Sequence, residues 1–517
     1  MGSHGLNAKY TIAIIGSGPA GLSAAARAAA RGVPHVLLEK TEHLSDTIFK
    51  YQKGKHIMAT PEQLILRSDI DFDAGSRENI LDLWNEQAEN LKTNVRYNSE
   101  VIKVEGSKPN FKLTLKDGST VESENIILAI GTQGNPNTMR CPGGDLPHVQ
   151  YQLDDPRAYF DEDIIVIGGG DAGIENALGL CAAPELENRV TLLQRAPDFP
   201  KAKAANVKAL MEAKDSGRLN VINLATTISI EPNWINIDVK DGKERLPCDR
   251  IIARIGSAPP RKFVESCGVE FASEDRLAFP VLSESFETSV PGLYVIGALA
   301  GYPLIKHCMN QGYDVVEQIC GNTSLKPADE PLLQEKLNAL PGRKTVNEWL
   351  NYLRKNIDIF NPLSLLQMRE FMLDSEVSYR KSGETIFKRN DIGSSLFSIA
   401  SGTVNVHIDK KDESITVPIS AGKIFGETGL ISGRRRNAMI TVAEDCILVE
   451  TPRNAARKLI ASVPEVKRNI ERIAIERQLL NIFGPGITQE DIAPILDSAK
   501  LMIVKANTII IEEGETG

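Results

Sequence analysis

Two glycine-rich hexapeptides constrain this chain more than any other feature. Gly16-Ser-Gly-Pro-Ala-Gly21 and Gly168-Gly-Gly-Asp-Ala-Gly173 each follow a short β-branched run and open a helical stretch. Glycines at those places allow a tight turn and let the backbone approach a pyrophosphate, while the helix N-terminus faces its negative charge. Taken alone, either hexapeptide also suits a purely structural turn; a strand before it and a helix after it point to nucleotide binding. Around the first, Thr11–Ile15 reads as a strand, Ala20–Arg31 as a helix and Val36–Glu39 as the next strand. Around the second, Ile164–Ile167, Ala172–Cys181 and Val190–Leu193 repeat that order. The alternation is that of an α/β fold, and its repetition predicts two dinucleotide sites.

The residues at the second strand of each unit separate the two sites. Glu39, followed by Lys40, ends the strand of the first unit, where a carboxylate accepts from ribose hydroxyls. In the second unit Gln194 and Arg195 stand there, with Lys201 and Lys203 close behind. A guanidinium pairs a 2′-phosphate bidentately and an acid would repel it, so NADPH is expected in preference to NADH. The two lysines read equally well as a solvated basic loop.

At 517 residues the chain is too long for one core, and several domains are expected. A net charge of −9 argues against a nucleic-acid or acidic-membrane partner, since phosphate binding draws on excess Lys and Arg. No apolar run reaches the roughly 18 residues of a membrane helix. Met1-Gly-Ser-His-Gly has no apolar signal core and is set aside as an added segment. The seven cysteines are scattered and form no CxxC, which suits a reduced, cytoplasmic compartment; no metal site is expected.

After Gly321 the character changes. Residues 323–360 carry Pro327, Pro331 and Pro341 and a helical stretch around Val346–Leu353, and read as a helical linker. From 361 to 485 a helical lead-in gives way to short strands punctuated by Gly383, Gly393, Gly402, Gly422 and Gly426, the spacing of a β-roll, and then to an amphipathic helix over 464–482. Thr508–Gly517 echoes Glu384–Gly393, and Leu496-Asp-Ser echoes Leu373-Asp-Ser. Residues 486–517 are therefore expected to begin a second, truncated copy of the roll.

Gly16–Gly21, the strand-turn Ile126-Ile-Leu-Ala-Ile-Gly131, Arg254-Ile-Gly-Ser-Ala-Pro259 and Gly292-Leu-Tyr-Val-Ile-Gly-Ala298 together resemble the thioredoxin reductase-like flavoproteins. The resemblance covers about residues 9–322. It implies two Rossmann-like domains: an FAD domain split into 9–145 and 271–322, and an NAD(P)H domain inserted at 146–270. It places FAD at Gly16, Gly18, Pro19, Ala20, Gly21, Glu39, Lys40, Ile130, Gly131, Gly297 and Ala298. It places NADPH at Gly168, Gly170, Asp171, Ala172, Gly173, Arg195, Lys201 and Gly256. A homodimer is the expected assembly. One departure concerns Ala298, where the family has an Asp for the ribityl chain; Lys306, His307 or Asn310 would then serve as polar partners.

A second departure concerns electron transfer. The CxxC of thioredoxin reductases would fall at Tyr151-Gln-Leu-Asp-Asp-Pro156, with Gln152 and Asp155 at the thiol places. The first-loop Cys of bacillithiol-disulfide reductases is replaced by Ala20. Without either thiol, the chain is similar to the ferredoxin–NADP reductases of this type, in which the flavin itself carries the chemistry. The acceptor is then a ferredoxin-like protein, a domain beyond residue 517, or a small quinone or oxygen. Lys53-Gly-Lys-His-Ile-Met58 lies where the family brings a loop towards the flavin, and His56 is the one candidate there for a catalytic side chain.

Phe425-Gly-Glu-Thr-Gly-Leu430 followed by Arg436-Asn-Ala438 resembles the phosphate cassette of cyclic-nucleotide-binding domains. The resemblance assigns Phe425, Gly426, Glu427, Thr428, Arg436, Asn437 and Ala438 to a cyclic nucleotide. Backbone N–H groups of the turn would cradle the phosphate, Arg436 would neutralise it, and Glu427 would accept the ribose hydroxyl. Asn437 does not decide between cyclic AMP and cyclic GMP. The leading expectation is an NADPH-dependent FAD reductase answering to a cyclic nucleotide. The alternative is a redox or cyclic-nucleotide sensor or docking protein with little turnover. A transcription factor of the catabolite activator type is disfavoured, because a second roll begins where its helix-turn-helix would stand.

Overall fold

The computed structural model describes residues 9–498, apart from 134–135, 200–201, 241, 258–259, 272–273, 275–277, 392, 394, 409–411, 413, 428–434 and 484–488. Of residues 486–517, where the second roll is expected, Gln489–Ser498 form a helix and the rest lie outside the described residues, as do Lys201 and Thr428. The chain forms two compact units that divide after Leu332.

The first unit holds two dinucleotide folds. Strand β1 (Lys9–Ile15), helix α1 (Pro19–Ala30) and strand β2 (His35–Leu38) form the first βαβ unit. β1 lies between β2 and β3 (Thr120–Leu128), parallel to both. Parallel strands covered on both faces favour continuous β-branched runs over alternation, and Ile12, Ala13, Ile14, Val36 and Leu37 are all fully buried. The short strand Leu293–Val295 returns from much later in the chain to pair parallel with β3. That pairing shows the first fold to be split by an insertion.

The insertion builds its own parallel sheet around β4 (Asp163–Ile167). Helix α2 (Asp171–Leu180) connects β4 to β5 (Arg189–Gln194), and β6 (Arg250–Ala253) pairs on the other side of β4. A three-stranded antiparallel sheet, residues 226–247, packs against it through Ile230, Ile235 and Ile237. The chain then re-enters the first fold, and α3 (Ile305–Ile319) lies against α1. The approach is very close: a Cβ on Gly312 would stand 2.2 Å from the Ala20 carbonyl oxygen. The alanine-rich sequence of α1 makes this contact possible, since no larger side chain would fit between the helices.

The second unit is built on an antiparallel roll. Its residues 333–360, expected as a linker, are instead part of the core. Leu333, Leu337, Leu340, Val346, Trp349, Leu350 and Leu353 are buried there. Helix α4 (Val346–Asn356) begins in a Thr345/Glu348 capping box, and α5 (Leu365–Asp374) in a Ser364/Gln367 box. The prolines had suggested an open connection, but Pro327 and Pro341 lie outside the helices and Pro331 sits in the first turn of the helix Glu330–Leu337, where a missing N–H is tolerated. The long strands β7 (Leu396–His407) and β8 (Met439–Thr451) pair antiparallel along most of their length. The helix expected over 464–482 is present as α6 (Pro464–Phe483). Among the described residues no helix is long and apolar enough to cross a membrane.

Trp349 tests the placement of 333–360. It is 2% exposed, so Trp349→Ala should lower the unfolding free energy by ~3–5 kcal/mol in urea titration. A loss within ~0.5 kcal/mol would instead mark a solvated connection.

Candidate functional site

Steric necessity shapes the first glycine turn. Gly16 has φ +97, and a Cβ on Gly21 would lie 1.9 Å from the Gly16 carbonyl oxygen. No side chain fits there, so α1 starts directly against the end of β1. Gly18 differs, since a Cβ there would meet nothing within 4 Å. It is the N-cap of α1 and makes no side-chain cap, and Pro19 follows with no N–H to offer. The turn is an open cradle edged by the first backbone amides of the helix. Gly297 lies against it, its absent Cβ 3.1 Å from that of Ala20, and its amide donates to Gln311 Oε1 at 2.7 Å. Ile130 and Gly131 follow β3 on the same side, Gly131 with φ +61.

Glu39 lies at the end of β2, 4% exposed, and both its oxygens are engaged. Oε2 accepts from the Ser17 amide at 3.0 Å and hydroxyl at 2.6 Å; Oε1 accepts from the Thr41 amide at 2.9 Å and hydroxyl at 3.0 Å. Two of these donors are hydroxyls, the same chemistry a ribose would offer. Lys40 beside it is exposed. Ala298 presents only a methyl group. Lys306 and Asn310 are occupied elsewhere: Lys306 Nζ donates to the carbonyls of Pro61, Glu62 and Leu64, and Asn310 bonds the Arg67 amide and the Ile65 carbonyl. Those two side chains tie down the 61–67 loop, and His307 is buried beside Tyr302.

The second turn repeats the first. A Cβ on Gly173 would stand 1.9 Å from the Gly168 carbonyl oxygen, and Gly170, the N-cap of α2, opens onto free space. Asp171 Oδ1 accepts from the Lys203 amide and from Asn206, fixing the next helix beside the turn. Gln194 folds back on its own loop: its Nε2 donates to the Asp198 carbonyl at 3.0 Å and its Oε1 accepts from the Arg195 amide at 3.0 Å. A neutral amide therefore occupies the strand end, and Arg195 stands exposed next to it.

Residues of both dinucleotide folds line one polar cleft: Lys50, Tyr51, Gln52, Lys55, Leu153, Ala172, Glu175, Asn176 and Arg254. Lys55 pairs with Glu175 at 2.7 Å and rides over the Tyr51 ring at 4.0 Å. Gln52 accepts from Asn176 at 2.7 Å, and Arg254 donates to the Tyr151 carbonyl at 2.6 Å. Burial, reinforced by Glu175, pushes the Tyr51 phenol up, and burial pulls the Arg254 guanidinium down. The 151–156 segment, where a redox pair would sit, is used structurally: Asp155 caps the short helix Pro156–Ala158 and pairs with Lys53 at 3.2 Å. All seven cysteines are unpaired, and burial pushes the Cys308 thiol up to about 12.

In the second unit, Arg436 is 6% exposed. Its guanidinium donates to the carbonyls of Ser395 at 2.9 Å and Gly426 at 3.3 Å and stacks over Phe387 at 4.3 Å. Among the described residues no carboxylate comes within ion-pair distance of it, and burial lowers its pKa. Glu427, 6% exposed, pairs with Arg477 of α6 at 2.6 Å, and Arg477 also donates to the Ile424 carbonyl at 2.6 Å. Phe425 stacks on Phe397 at 5.0 Å beneath the turn. Asn437 is exposed and accepts from Arg389 through its carbonyl, and Ala438 follows it.

Residues 13–297 match the model of the pyridine nucleotide-disulphide oxidoreductases. The chain belongs to that family. Residues 377–463 match the cyclic nucleotide-binding domain. A ferredoxin–NADP reductase of Ignicoccus hospitalis is 27% identical over 56% of this chain and 90% of its own length. Bacilliredoxin reductase of Bacillus subtilis is 28% identical over 56% and 89%. The bacillithiol disulfide reductase of Staphylococcus aureus, 23% identical, superposes with a TM-score of 0.56 over 61% of this chain and all of that one, a likeness of fold.

Membership of this oxidoreductase family makes the chain a flavin-dependent NAD(P)H oxidoreductase, and the geometry fits both nucleotides. Each open glycine cradle suits a pyrophosphate, and the cleft, lined by both folds, reaches the second turn at Ala172. Sequence reasoning picked His56 from the loop that enters this cleft. His56 is exposed and pairs through its backbone with Ser76, whereas its neighbour Lys55 lines the cleft. Strand alternation beyond Gly54 was the available signal. Glu175 and Asn176 had one too, since with Ala172 they form an i, i+3, i+4 face of α2. Arg477 had none, because its partner lies fifty residues upstream on another element.

Arg436→Met is expected to leave the ligand-free protein at least as stable as wild type, within the ~1–4 kcal/mol gained when apolar volume replaces a buried charge. It should also abolish retention on immobilised cyclic AMP. Marked destabilisation would show that the two carbonyls, and not a ligand, are what the guanidinium serves.

Proposed function

We propose that the protein transfers reducing equivalents from NADPH through FAD to a ferredoxin-like acceptor, under control of a cyclic nucleotide. The observation that carries the first part is the presence of one open glycine cradle in each dinucleotide fold, with a polar cleft lined by residues of both folds and no CxxC pair in the sequence. Bound FAD supplies hydride acceptance from nicotinamide and release of electrons singly or as a pair. The chain's own residues bind and orient. The amides opening α1 and α2 face the pyrophosphates, Glu39 exchanges its hydroxyl partners for those of ribose, and the Lys55–Glu175 pair with Arg254 sets the charge of the cleft. Exposed Arg195 beside neutral Gln194 supports NADPH over NADH. The ferredoxin–NADP reductases among its relatives support the acceptor.

Arg436 carries the second part: it is buried, no carboxylate of the described residues is within ion-pair distance, and Glu450, Glu427 and Asp391 attract it only from farther off. Removing a guanidinium from water without a compensating anion is costly, and a cyclic phosphate is the anion that the neighbouring turn and Glu427 suit. Arg477 positions Glu427, leaving its other oxygen for the ribose hydroxyl, and so ties the ligand site to α6. A nucleotide that prefers one arrangement of this unit shifts turnover by a coupling of typically about 1–3 kcal/mol.

Anaerobic NADPH should bleach the flavin faster than NADH, and turnover with a ferredoxin should respond to cyclic AMP or cyclic GMP. Bleaching without turnover on any carrier would favour a sensor. Arg195→Ala should raise the KM for NADPH about tenfold, the effect of losing ~1.4 kcal/mol of phosphate pairing, and leave NADH nearly unchanged. Equal losses for both nucleotides would overturn the phosphate assignment. Alkylation of the thiols should leave NADPH-to-ferricyanide transfer intact, and its abolition in folded protein would reveal a redox-active cysteine.

A further inference from the structure

The chain leaves α3 at Gly321 and runs through an irregular stretch, residues 322–329, to the helix Glu330–Leu337. Two posts on one face of α3 hold this stretch. At the first, Asn322 Nδ2 donates to Glu317 Oε2 at 2.6 Å, while Glu317 Oε1 accepts from Arg27 of α1 at 2.8 Å. At the second, Arg67 Nη1 donates both to Asp314 Oδ1 at 2.7 Å and to the Lys326 carbonyl at 2.8 Å. Glu317 is 2% exposed, so its three-way junction is built into the protein and not laid on its surface.

The second post is held at a cost. Burial pushes the Asp314 carboxyl up to about 6; Arg67 pulls it back, and Asp329 and Glu317 add to the rise. A carboxyl whose folded pKa exceeds its unfolded value favours the fold when protonated, and that contribution is lost as pH rises through about 6. At neutral pH the charge on Asp314 therefore works against stability, and its pairing with Arg67 is what the charge provides. The same helix carries Gly312 against Ala20, and Arg27 belongs to the helix that opens at the first glycine turn. A displacement of residues 322–329 thus acts on α1 by two routes, the Glu317–Arg27 pair and the body of α3.

We propose that residues 322–329 are a coupling strap through which the state of the second unit reaches the flavin turn, with Arg67 as its anchor. This rests on the regulatory reading above. It assigns to Arg67 a positioning role remote from both ligands. A physical two-state element that both sites bias is the requirement for such coupling.

The test uses the full flavoprotein as wild type, Arg67→Ala and the isosteric Asp314→Asn, with and without cyclic AMP. Hydrogen exchange followed by mass spectrometry reads the amides of Gly321, Asn322 and Thr323, which are hydrogen-bonded where the strap leaves α3. Both variants should retain flavin, and exchange there should rise about tenfold as the strap opens locally. Basal turnover and cyclic AMP affinity should stay within about twofold, while the response of turnover to the nucleotide falls to less than about a third of wild type. Unchanged exchange, or a nucleotide response that survives both substitutions, would overturn the strap. A wild-type enzyme that binds cyclic AMP with no change in turnover would instead overturn the regulatory reading, and the coupling role with it.

Discussion

A single steric condition recurs at both dinucleotide turns: a helix begins so close to the end of a strand that no side chain can stand between them. The ideal Cβ of Gly21 meets the Gly16 carbonyl at 1.9 Å, and that of Gly173 meets the Gly168 carbonyl at the same distance. Everything else in the first unit follows from holding those two contacts. The small residues of α1 admit α3 against it at Gly312. α3 brings Gln311 to the Gly297 amide, so the last flavin motif is positioned by the helix that follows it. Each helix N-terminus then edges an open cradle, and the anion-binding character of each turn comes from the backbone alone.

Charge is treated differently at the different sites. In the cleft it is paired: Lys55 with Glu175, and Arg254 with a carbonyl. Paired charges can reorganise around a passing cofactor without leaving any group orphaned. In the roll, Arg436 is buried against carbonyls and rings with no carboxylate partner among the described residues, which leaves the counter-charge to a ligand. Asp314 is intermediate, partnered but still with its pKa raised. The contrast separates groups that sustain the fold from groups kept despite it.

Local rules made much of this legible in advance. Both glycine turns, their strands and helices, and the strands of the roll follow from periodicity and spacing over a few residues; the split first fold and the Glu427–Arg436 cassette came from family resemblance. Pairings across the chain did not. Lys55 meets Glu175 only because the two dinucleotide folds face one another, and nothing near either residue announces it. Lys306 and Asn310 looked available to a cofactor because nothing local shows that the 61–67 loop consumes them. Residues 333–360 were misjudged for a related reason. Prolines marked the breaks between helices correctly, but whether a helix is buried depends on what it meets. Trp349 and Leu353 meet the roll's own strands and helices.

The Glu427–Arg477 pair bears on how much a small ligand can do. A half-buried ion pair has a net worth near zero, because desolvation of the two charges offsets most of their attraction. Docking of α6 through Arg477 is therefore close to balanced, and small changes at Glu427 weigh heavily on it. On the proposed reading, a ribose hydroxyl on the other oxygen of Glu427 and a phosphate on Arg436 would both be charge-assisted contacts, each worth about 1.5–3 kcal/mol. Moving an equilibrium from one part in a hundred to ninety-nine needs roughly 5.5 kcal/mol of differential binding. Two such contacts, made in only one arrangement of the unit, would supply about 3–6 kcal/mol and reach that amount at the upper end. The cassette thus needs no large rearrangement of the roll to act as a switch; it needs only that Arg477 hold Glu427 in the orientation the ligand uses.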